Sequence, residues 1–368
     1  YEVRSEQLEM AEAVDAAFDD REHLMVEAGT GVGKSFAYLT PAILAVQQKQ
    51  RVVVSTYTIA LQEQLVQKDL PFLHTHLGLE FFAVLAKGRS NYLCFRRLEA
   101  AMRRPERLFS SAEQIDQLMA LSQWASETEQ GTRQDLDFRV DGGVWSRVRA
   151  EAGACAGRKC RQFEHCHFQR ARALMRKANL LVVNHSMLFS DLALRHGRDG
   201  DEGGPAELLG AYDLLVLDEA HTAEQAASDH FGDSVSSASV MSMVRELYNE
   251  RNDRGVLALT DDAKAIAAAR AAGAAAASFF DALGAPHVSG VASNGRISRP
   301  NVVVNDLAPA LLDLAGHVGR VGRAIDDDQA RLELVGYQRR IEETAATVTE
   351  LIEQSRDDYA YWRTVRQL

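Results

Sequence analysis

Short apolar runs alternate with helical patterns through the first part of the chain. The runs His23–Glu27 and Arg51–Ser55 have the length and apolar character of buried strands in a parallel sheet. The segments Ser35–Gln48 and Leu61–Leu70, which follow them, repeat apolar residues at helical spacing. This order of strand, loop and helix predicts a doubly wound α/β fold, in which ligands bind at the carboxyl ends of the strands.

The same pattern returns after residue 178. Leu180–Val183 and Tyr212–Leu217 are predicted buried strands, separated by a Gly- and Asp-rich loop at residues 198–205. Beyond Ala227 the sequence becomes alanine-rich and amphipathic at helical spacing. We predict long helices at Ser236–Asn249, Thr260–Leu283, Leu307–Gly322 and Gln329–Ser355.

Composition indicates a soluble globular protein of two or three domains. The 368 residues are 46% hydrophobic and 25% charged. The apolar stretch Ala263–Leu283 is mostly alanine and contains Lys264, Arg270 and Asp281, so we expect a packed helix and no membrane partner. The first residues have no apolar signal segment and no initiator Met, which predicts a cytoplasmic protein with residues preceding Tyr1.

A phosphate-binding loop follows the first predicted strand. Its glycines allow tight turns that point N–H groups inward, and the next helix adds its positive N-terminal end. Lys34 is predicted to reach the β and γ phosphates, and the Ser35 hydroxyl to ligate Mg²⁺. Ala28 stands where the full pattern has glycine. The predicted nucleotide-binding residues are Gly29, Thr30, Gly31, Val32, Gly33, Lys34 and Ser35.

Two carboxylates follow the strand that ends at Leu217. In the sequence Asp218-Glu219-Ala220-His221, Asp218 is predicted to hold Mg²⁺ through water. Glu219 is predicted to orient and deprotonate the attacking water. Together with Lys34, these carboxylates predict nucleotide hydrolysis, and ATP with Mg²⁺ as the ligands.

Basic residues concentrate in the middle of a chain whose net charge is −11. The segment Lys87–Arg107 has seven basic and two acidic residues, and Trp145–Lys177 has nine basic and two acidic residues. A basic region between acidic flanks is typical of a surface that contacts the phosphate backbone of a nucleic acid.

All four cysteines lie in or between these basic segments, at positions Cys94, Cys155, Cys160 and Cys166. Because nothing else indicates an oxidising compartment, a metal or cluster site is favoured over disulfides. Four thiolates suit either Zn²⁺ or an iron–sulfur cluster, and the neighbouring His165 and His167 keep zinc possible. We expect this Arg-rich region to have little apolar core of its own.

The phosphate loop, the Asp-Glu-Ala-His box and four cysteines placed between them resemble the XPD/DinG-type iron–sulfur DNA helicases of superfamily 2. Arg4-Ser5-Glu6-Gln7 is similar to the adenine-reading motif of that family, and Ser55–Leu65 is similar to its first DNA-contacting motif, with Tyr57 where His or Asn is common. Lys87–Cys94 and Val183–Leu188 match segments on either side of the cluster domain.

The resemblance implies an ATP-dependent helicase that translocates on single-stranded DNA as a monomer. It assigns base contact to Gln7, coupling to His221, and a [4Fe–4S] cluster to the four cysteines. The implied domains are a RecA-like motor in two parts (1–86 and 179–228), a cluster domain (87–178) and a helical arch (229–368). The implied DNA contacts are Thr56, Arg89, Asn91, Tyr92 and Asn184.

The family has a second motor domain, whose motifs we do not find in this sequence. Residues 319–323 resemble its arginine motif, but we reject this match because Gly316 stands where that motif has Gln. We therefore expect an N-terminal fragment that is inactive alone. The alternatives are a small-molecule kinase, which leaves the basic cysteine region unexplained, and a zinc-containing nucleic-acid-binding P-loop ATPase without unwinding activity.

Overall fold

A computed structural model describes residues 4–29, 31–196, 208–260 and 262–365. The chain divides into two compact units. Unit 1 comprises Tyr1–Gly88 and Gln169–Gly232, and unit 2 comprises Arg89–Phe168 and Asp233–Leu368. The predicted loop at residues 198–205 lies outside the described residues.

Helices dominate the described residues. The α-helices are α1 Ser5–Asp20, α2 Lys34–Gln47, α3 Ile59–Gln64, α4 Leu70–Leu77, α5 Phe95–Arg103, α6 Pro105–Leu108, α7 Ala112–Glu127, α8 Gly142–Val148, α9 His167–Lys177, α10 His185–His196, α11 Ala223–Phe231, α12 Ser237–Leu247, α13 Ala263–Gly284, α14 Leu307–Ala324 and α15 Asp328–Glu353. A π-helical turn, Leu65–Asp69, joins α3 to α4. The strands are β1 Val52–Thr56, β2 Ala83–Leu85, β3 Leu180–Asn184, β4 Leu214–Leu217, β5 Arg296–Ile297 and β6 Tyr361–Trp362.

Unit 1 is built on a parallel sheet with the strand order β2-β3-β1-β4. Val52 of β1 pairs with Leu180 on one side and with Leu214 on the other. Every residue of β1 is buried, because a central parallel strand is covered on both faces. The predicted α/β fold with a parallel sheet is confirmed.

The two faces of this sheet contribute to separate apolar clusters. Val52 and Val54 of β1 pack with residues of α2 such as Leu39 and Ile43. Val53, which points to the other face, packs in a cluster that includes Leu188 of α10. Alternate residues of one strand therefore fill two cores, as the pleat of a strand requires.

The predicted strand at His23–Glu27 is wrong. No strand is assigned to this segment, and its apolar side chains are exposed, with Met25 98% accessible. A strand exists only where a neighbouring chain completes its hydrogen-bond ladder. Among the described residues, β4 pairs with β1 alone, and the segment 23–27 pairs with no strand.

The helices predicted for the alanine-rich part of the chain are present in unit 2 as α12, α13, α14 and α15. By length and composition, α13 is the one helix of the described residues that could cross a membrane. Its alanine face is fully buried at Ala265, Ala269 and Ala272, in the same core as Leu311 of α14. We therefore assign α13 as a packing helix of unit 2.

Close packing of α14 on α15 depends on two glycines of the rejected arginine-like string. A Cβ atom on Gly319 would lie 2.4 Å from Oε1 of Gln338, and one on Gly322 would lie 3.3 Å from Cβ of Leu334. Both glycines lie inside α14 and are buried. The two glycines let α14 pack closely on α15. This packing role accounts for them without an arginine motif.

The region that carries the cysteines has an apolar core, contrary to our expectation. Leu118 and Leu121 of α7 and Trp145 of α8 are almost fully buried and pack with Leu98 of α5. The expectation was wrong because it rested on the arginine-rich segments, whereas α7 lies between them, contains no arginine and supplies apolar residues to this core.

Ion pairs also join α5 to α15 within unit 2. Arg97 of α5 is 4% exposed and bonds to Glu151 at 3.1 Å and to Glu333 of α15 at 3.4 Å. Arg340 of α15 bonds to the same Glu151 at 2.6 Å and to Glu246 at 3.2 Å. The buried guanidinium of Arg97, with two carboxylate partners, holds α5 against α15, because removing one partner would leave a buried charge uncompensated.

Replacement of Arg97 by Met tests this network. We expect Arg97→Met to lower the free energy of unfolding by about 3 kcal/mol, because Glu151 and Glu333 lose a buried partner. Arg103→Met is the matched control on the same helix, since Arg103 is 57% exposed and pairs with Glu99 and Asp327. For the control, denaturant unfolding should show a loss of less than about 1 kcal/mol in the free energy of unfolding. Equal losses for the two variants would contradict the network's role.

Candidate functional site

The predicted phosphate loop lies between residue 28 and α2. Gly31 has φ 84° and Gly33 has φ 92°, values that favour glycine. Gly33 is the N-cap of α2, so the loop leads directly into the N-terminal end of that helix. Thr30 lies outside the described residues, and Gly29 and Val32 flank it on the loop. This is the backbone geometry of an anion site at a helix N-terminus.

Helix α1 contacts this loop through two side chains. The Nε2 of Gln7 donates to the carbonyl oxygen of Gly33 at 2.8 Å, and Arg4 donates to the carbonyl oxygen of Gly31. A Cβ atom on Gly33 would lie 2.1 Å from the Gln7 amide nitrogen. The predicted base-reading residue therefore lies beside the phosphate loop.

Lys34 and Glu219 lie next to each other although they are far apart in sequence. The Nζ of Lys34 is 3.4 Å from Oε1 of Glu219, and each side chain is 31% exposed. The other carboxylate oxygen of Glu219 is 3.5 Å from Nδ1 of His221, whose side chain is 74% exposed. Glu219 has φ 54°, a left-handed conformation that is uncommon outside glycine. The predicted phosphate-binding lysine and the predicted general base thus share one site.

Asp218 is anchored to the end of the central strand. Its amide donates to the carbonyl oxygen of Ser55 at 2.8 Å, and its Oδ2 accepts from the Thr56 hydroxyl at 3.0 Å. Thr56 pairs in register with Asn184 of β3. The carboxyl ends of β1, β3 and β4 therefore meet where the sequence predicts the magnesium ligand.

A buried histidine lies beneath this edge. The Nδ1 of His185 is 2.7 Å from Oγ of Ser55, and both side chains are almost fully buried. Burial lowers the pKa of His185, and hydrogen bonding to the backbone of Glu219 and Asp218 opposes this shift only in part. A neutral imidazole therefore supports the turn that holds both carboxylates. The sequence analysis did not single out this role.

The sequence analysis also did not single out Tyr38 and Asp69. Tyr38 of α2 is 3% exposed and Asp69 of the π-helical turn is 9% exposed. Burial raises the pKa of Tyr38, and the charge of Asp218 raises it further. Burial also raises the pKa of Asp69, whereas hydrogen bonding with Gln64 and Ser35 lowers it. The spacing of Ser35 and Tyr38, three residues apart on one helix, is the sequence signal that places Tyr38 near the site.

Two buried oxygens of this group have no hydrogen-bond partner within the described residues: the Tyr38 hydroxyl and Oδ2 of Asp69. Ser35 lies close enough to perturb the pKa of both groups, and Asp218 perturbs that of Tyr38. A hydrated cation held by Ser35 and Asp218 brings water molecules that buried oxygens of this kind bind. The arrangement fits Mg²⁺.

The predicted DNA contacts of unit 1 also make bonds within the protein. The Thr56 hydroxyl bonds to Asp218, and Oδ1 of Asn184 accepts from the amide of Met187 at 2.9 Å in the first turn of α10. Tyr57, the next residue after β1, is 56% exposed. The exposed aromatic group at this edge is therefore Tyr57.

The predicted DNA contacts of unit 2 differ in accessibility. Arg89 lies over the ring of Phe168 at 4.5 Å, and Oδ1 of Asn91 accepts from Gln134 at 3.1 Å. Tyr92 is 4% exposed and packs against the same Phe168 ring. At this exposure the Tyr92 ring offers no open face for stacking on a base, and its contact with DNA stays a prediction.

None of the four cysteines, which all lie in unit 2, forms a disulfide. Cys94 precedes α5, Cys166 precedes α9, and Cys155 is exposed and accepts an N–H bond from Gly157 at 3.4 Å. The described ranges contain no group of three or more His, Cys, Asp or Glu side chains placed to hold a metal ion. The donor chemistry fits an iron–sulfur cluster, whereas the side-chain positions do not assemble it.

His167 belongs to the core of unit 2. It is 5% exposed, its Nδ1 lies 3.2 Å from the carbonyl oxygen of Glu129, and its ring lies 5.0 Å from that of Phe95. Because its ring packs in this core, His167 is a weaker candidate ligand for zinc.

Comparison with known proteins agrees with this geometry. The DEAD/DEAH box helicase family matches residues 7–137, which include the phosphate loop, β1 and Gln7. This chain contains a DEAD/DEAH box helicase domain. The resemblance inferred from the sequence motifs is confirmed at this level.

The chain is also similar to several named bacterial proteins. It is 32% identical over 267 residues to the ATP-dependent DNA helicase YoaA of Haemophilus influenzae, covering 71% of this chain and 40% of that protein. It is 40% identical over 236 residues to the ATP-dependent helicase DinG of Mycobacterium tuberculosis, covering 59% of this chain and 34% of that protein. It is 32% identical over 236 residues to the 3'-5' exonuclease DinG of Bacillus subtilis, covering 63% of this chain and 24% of that protein. The chain thus spans less than half the length of these relatives.

Replacement of Gly33 by Ala tests the phosphate loop of the helicase domain. We expect Gly33→Ala to weaken binding of a fluorescent ATP analogue about tenfold, because φ 92° is strained for alanine and the added Cβ would meet Gln7. Gly78→Ala is the matched control: Gly78 has φ 63° but no atom within 4 Å of an added Cβ. Both variants should lose stability, and only the first should lose nucleotide affinity. Unchanged affinity in Gly33→Ala would refute the loop's role.

Proposed function

We propose that this chain supplies one nucleotide-binding lobe of an ATP-dependent DNA helicase of the DinG type, which translocates on single-stranded DNA. The observation that carries the proposal is the convergence of Lys34, Ser35, Asp218 and Glu219 at one edge of a parallel sheet, with Lys34 and Glu219 3.4 Å apart. We also propose that the protein acts as a monomer in the cytoplasm, where bacterial DNA is accessible.

The ion pair between Lys34 and Glu219 indicates how binding prepares catalysis. An arriving γ-phosphate attracts Lys34 more strongly than one carboxylate does, so Lys34 leaves Glu219. Glu219 is then free to align a water molecule and accept its proton. Ser35 and Asp218 are the residues that would hold Mg²⁺, which would neutralise charge on the phosphates when bound.

The sheet edge also links the nucleotide to the DNA. Thr56 bonds to Asp218 and lies next to Tyr57, whose exposed ring is suited to base stacking. We propose that Thr56, Tyr57 and Asn184 in unit 1, and Arg89 and Asn91 in unit 2, contact single-stranded DNA. His221, exposed beside Glu219, is the proposed coupling residue.

We propose further that the cysteines ligate a [4Fe–4S] cluster. The absence of disulfides among the four cysteines and the N–H bond to the Cys155 sulfur support thiolate ligation. In this proposal residues 87–178 form the cluster domain, 229–368 the arch, and 1–86 with 179–228 the motor lobe. Ligation requires the Cys155, Cys160 and Cys166 side chains to close on Cys94.

Glu219→Gln in the full-length protein tests the catalytic assignment. We expect phosphate release stimulated by single-stranded DNA to fall on the order of 10²-fold or more, because the substituted amide cannot accept the water proton. Nucleotide affinity should stay within about threefold, since Lys34 still binds phosphate. Glu224→Gln, an exposed change in α11, is the control and should keep full turnover.

We expect residues 1–368 alone to hydrolyse ATP about 10³–10⁵-fold more slowly than the full-length protein. The reason is that the proposed second motor domain would supply an arginine to the transferring phosphate, and an arginine supplied in trans is worth this factor in related systems. Equal rates for the two proteins would show that the lobe is sufficient. If Glu219→Gln hydrolysed ATP at the wild-type rate, Glu219 would not be the general base.

Anaerobic purification with iron and sulfide analysis tests the cluster. We expect about four irons and four sulfides per chain with broad visible absorbance. Cys155→Ser should lose both, because a thiolate ligand is removed. Stoichiometric zinc without sulfide would instead support the zinc-containing ATPase. Ser146→Ala, a change at a half-buried residue of α8, is the control for loss of iron and sulfide during purification.

A further inference from the structure

A buried hydrogen bond joins the central strand of unit 1 to the first residue of α10. The Nδ1 of His185 lies 2.7 Å from Oγ of Ser55, and the two residues are 1% and 0% exposed. Because solvent does not reach this pair, water cannot replace the bond if one partner is lost. The end of β1 is therefore tied to the point where β3 leads into α10.

Each partner of this bond lies next to a group of the candidate site. The carbonyl oxygen of Ser55 accepts from the amide of Asp218 at 2.8 Å, so Ser55 holds the backbone of a predicted magnesium ligand. His185 directly follows Asn184, a proposed DNA contact, whose Oδ1 accepts from the amide of Met187 at 2.9 Å. Two hydrogen bonds therefore connect His185 with Asp218 through Ser55.

Stability of the fold does not by itself account for a histidine at this position. The second ring nitrogen of His185, Nε2, is buried and forms no hydrogen bond of normal geometry in the part of the chain that the structure describes. A buried polar atom of this kind costs free energy of folding. Replacing both partners of a buried hydrogen bond by apolar groups of the same shape is, in contrast, nearly neutral. An apolar pair would therefore stabilise unit 1 equally well.

We propose that His185 is a positioning residue that couples the DNA-contacting end of β3 to the carboxylates. A displacement of Asn184 on binding of single-stranded DNA moves His185, and the bond to Ser55 passes this displacement to Asp218. Coupling between two sites can follow a contiguous set of bonded, buried groups of this kind. The inference rests on the proposed function, in which DNA stimulates hydrolysis. His185 is buried, so it acts through Ser55 and contacts neither ligand.

The experiment measures steady-state phosphate release by the full-length protein with saturating oligothymidylate and without DNA, and the readout is the ratio of the two rates. We expect Ser55→Ala and His185→Leu each to lower this ratio about threefold to tenfold, the change that one hydrogen bond is worth. His185→Asn, whose amide can still bond to Ser55, should recover part of the ratio. Affinity for the oligonucleotide should stay within about twofold, because coupling to a rate need not alter equilibrium binding.

The double variant Ser55→Ala/His185→Leu tests whether the two residues act through their shared bond. If they do, the double variant should lower the ratio no further than the single variants. Ser190→Ala is the matched control, because it removes a serine–histidine contact of the same kind. Oγ of Ser190 lies 3.2 Å from Nδ1 of His230 and joins α10 to α11. This control should keep the wild-type ratio.

An unchanged ratio in Ser55→Ala and His185→Leu, even where both rates fall together, would overturn the inference, because it indicates a purely structural role. Losses that multiply in the double variant would also overturn it, since they indicate that the residues act separately. If His185→Leu does not fold, Ser55→Ala still decides, since it removes a single oxygen. Wild-type hydrolysis that single-stranded DNA does not stimulate would refute the proposed function itself.

Discussion

The parallel register of β1 with β3 and β4 is the constraint on which the rest of unit 1 depends. It places Thr56 opposite Asn184 and sets the amide of Asp218 on the carbonyl oxygen of Ser55. Without that register, the carboxylates would not meet Lys34, which begins helix α2. Strand pairing therefore positions Thr56, Asn184 and Asp218, and the helices supply the apolar cover that makes the pairing stable.

Both units bury polar side chains, and the described residues of each include buried polar atoms without a hydrogen-bond partner. In unit 2, the carboxylates of Glu151 and Glu333 pair with the buried Arg97, and these ion pairs hold α5 against α15. In unit 1, Tyr38 and Asp69 are buried beside Ser35 with oxygens that lack partners among the described residues. An arrangement that costs stability is typical of a site whose partners arrive with the ligand.

Two of the residues that the sequence predicts to contact DNA form hydrogen bonds within the protein. Thr56 bonds to Asp218 and Asn184 caps the first turn of α10. A side chain that orders the sheet edge can transmit a change at that edge to the carboxylates, whereas the exposed ring of Tyr57 is free to contact a base. This division suits the proposed stimulation of hydrolysis by DNA.

The sequence by itself determined the α/β class, the phosphate loop and the carboxylate box, because glycine spacing and apolar runs are local signals. It also placed α12 to α15, whose periodicity extends over many residues. The segment 23–27 looked equally like a strand, yet strands need partners, and pairing is not encoded locally. Only the tertiary structure decided that Tyr92 is buried and that α5, α7 and α8 share a core, since each depends on contacts between residues far apart in the chain.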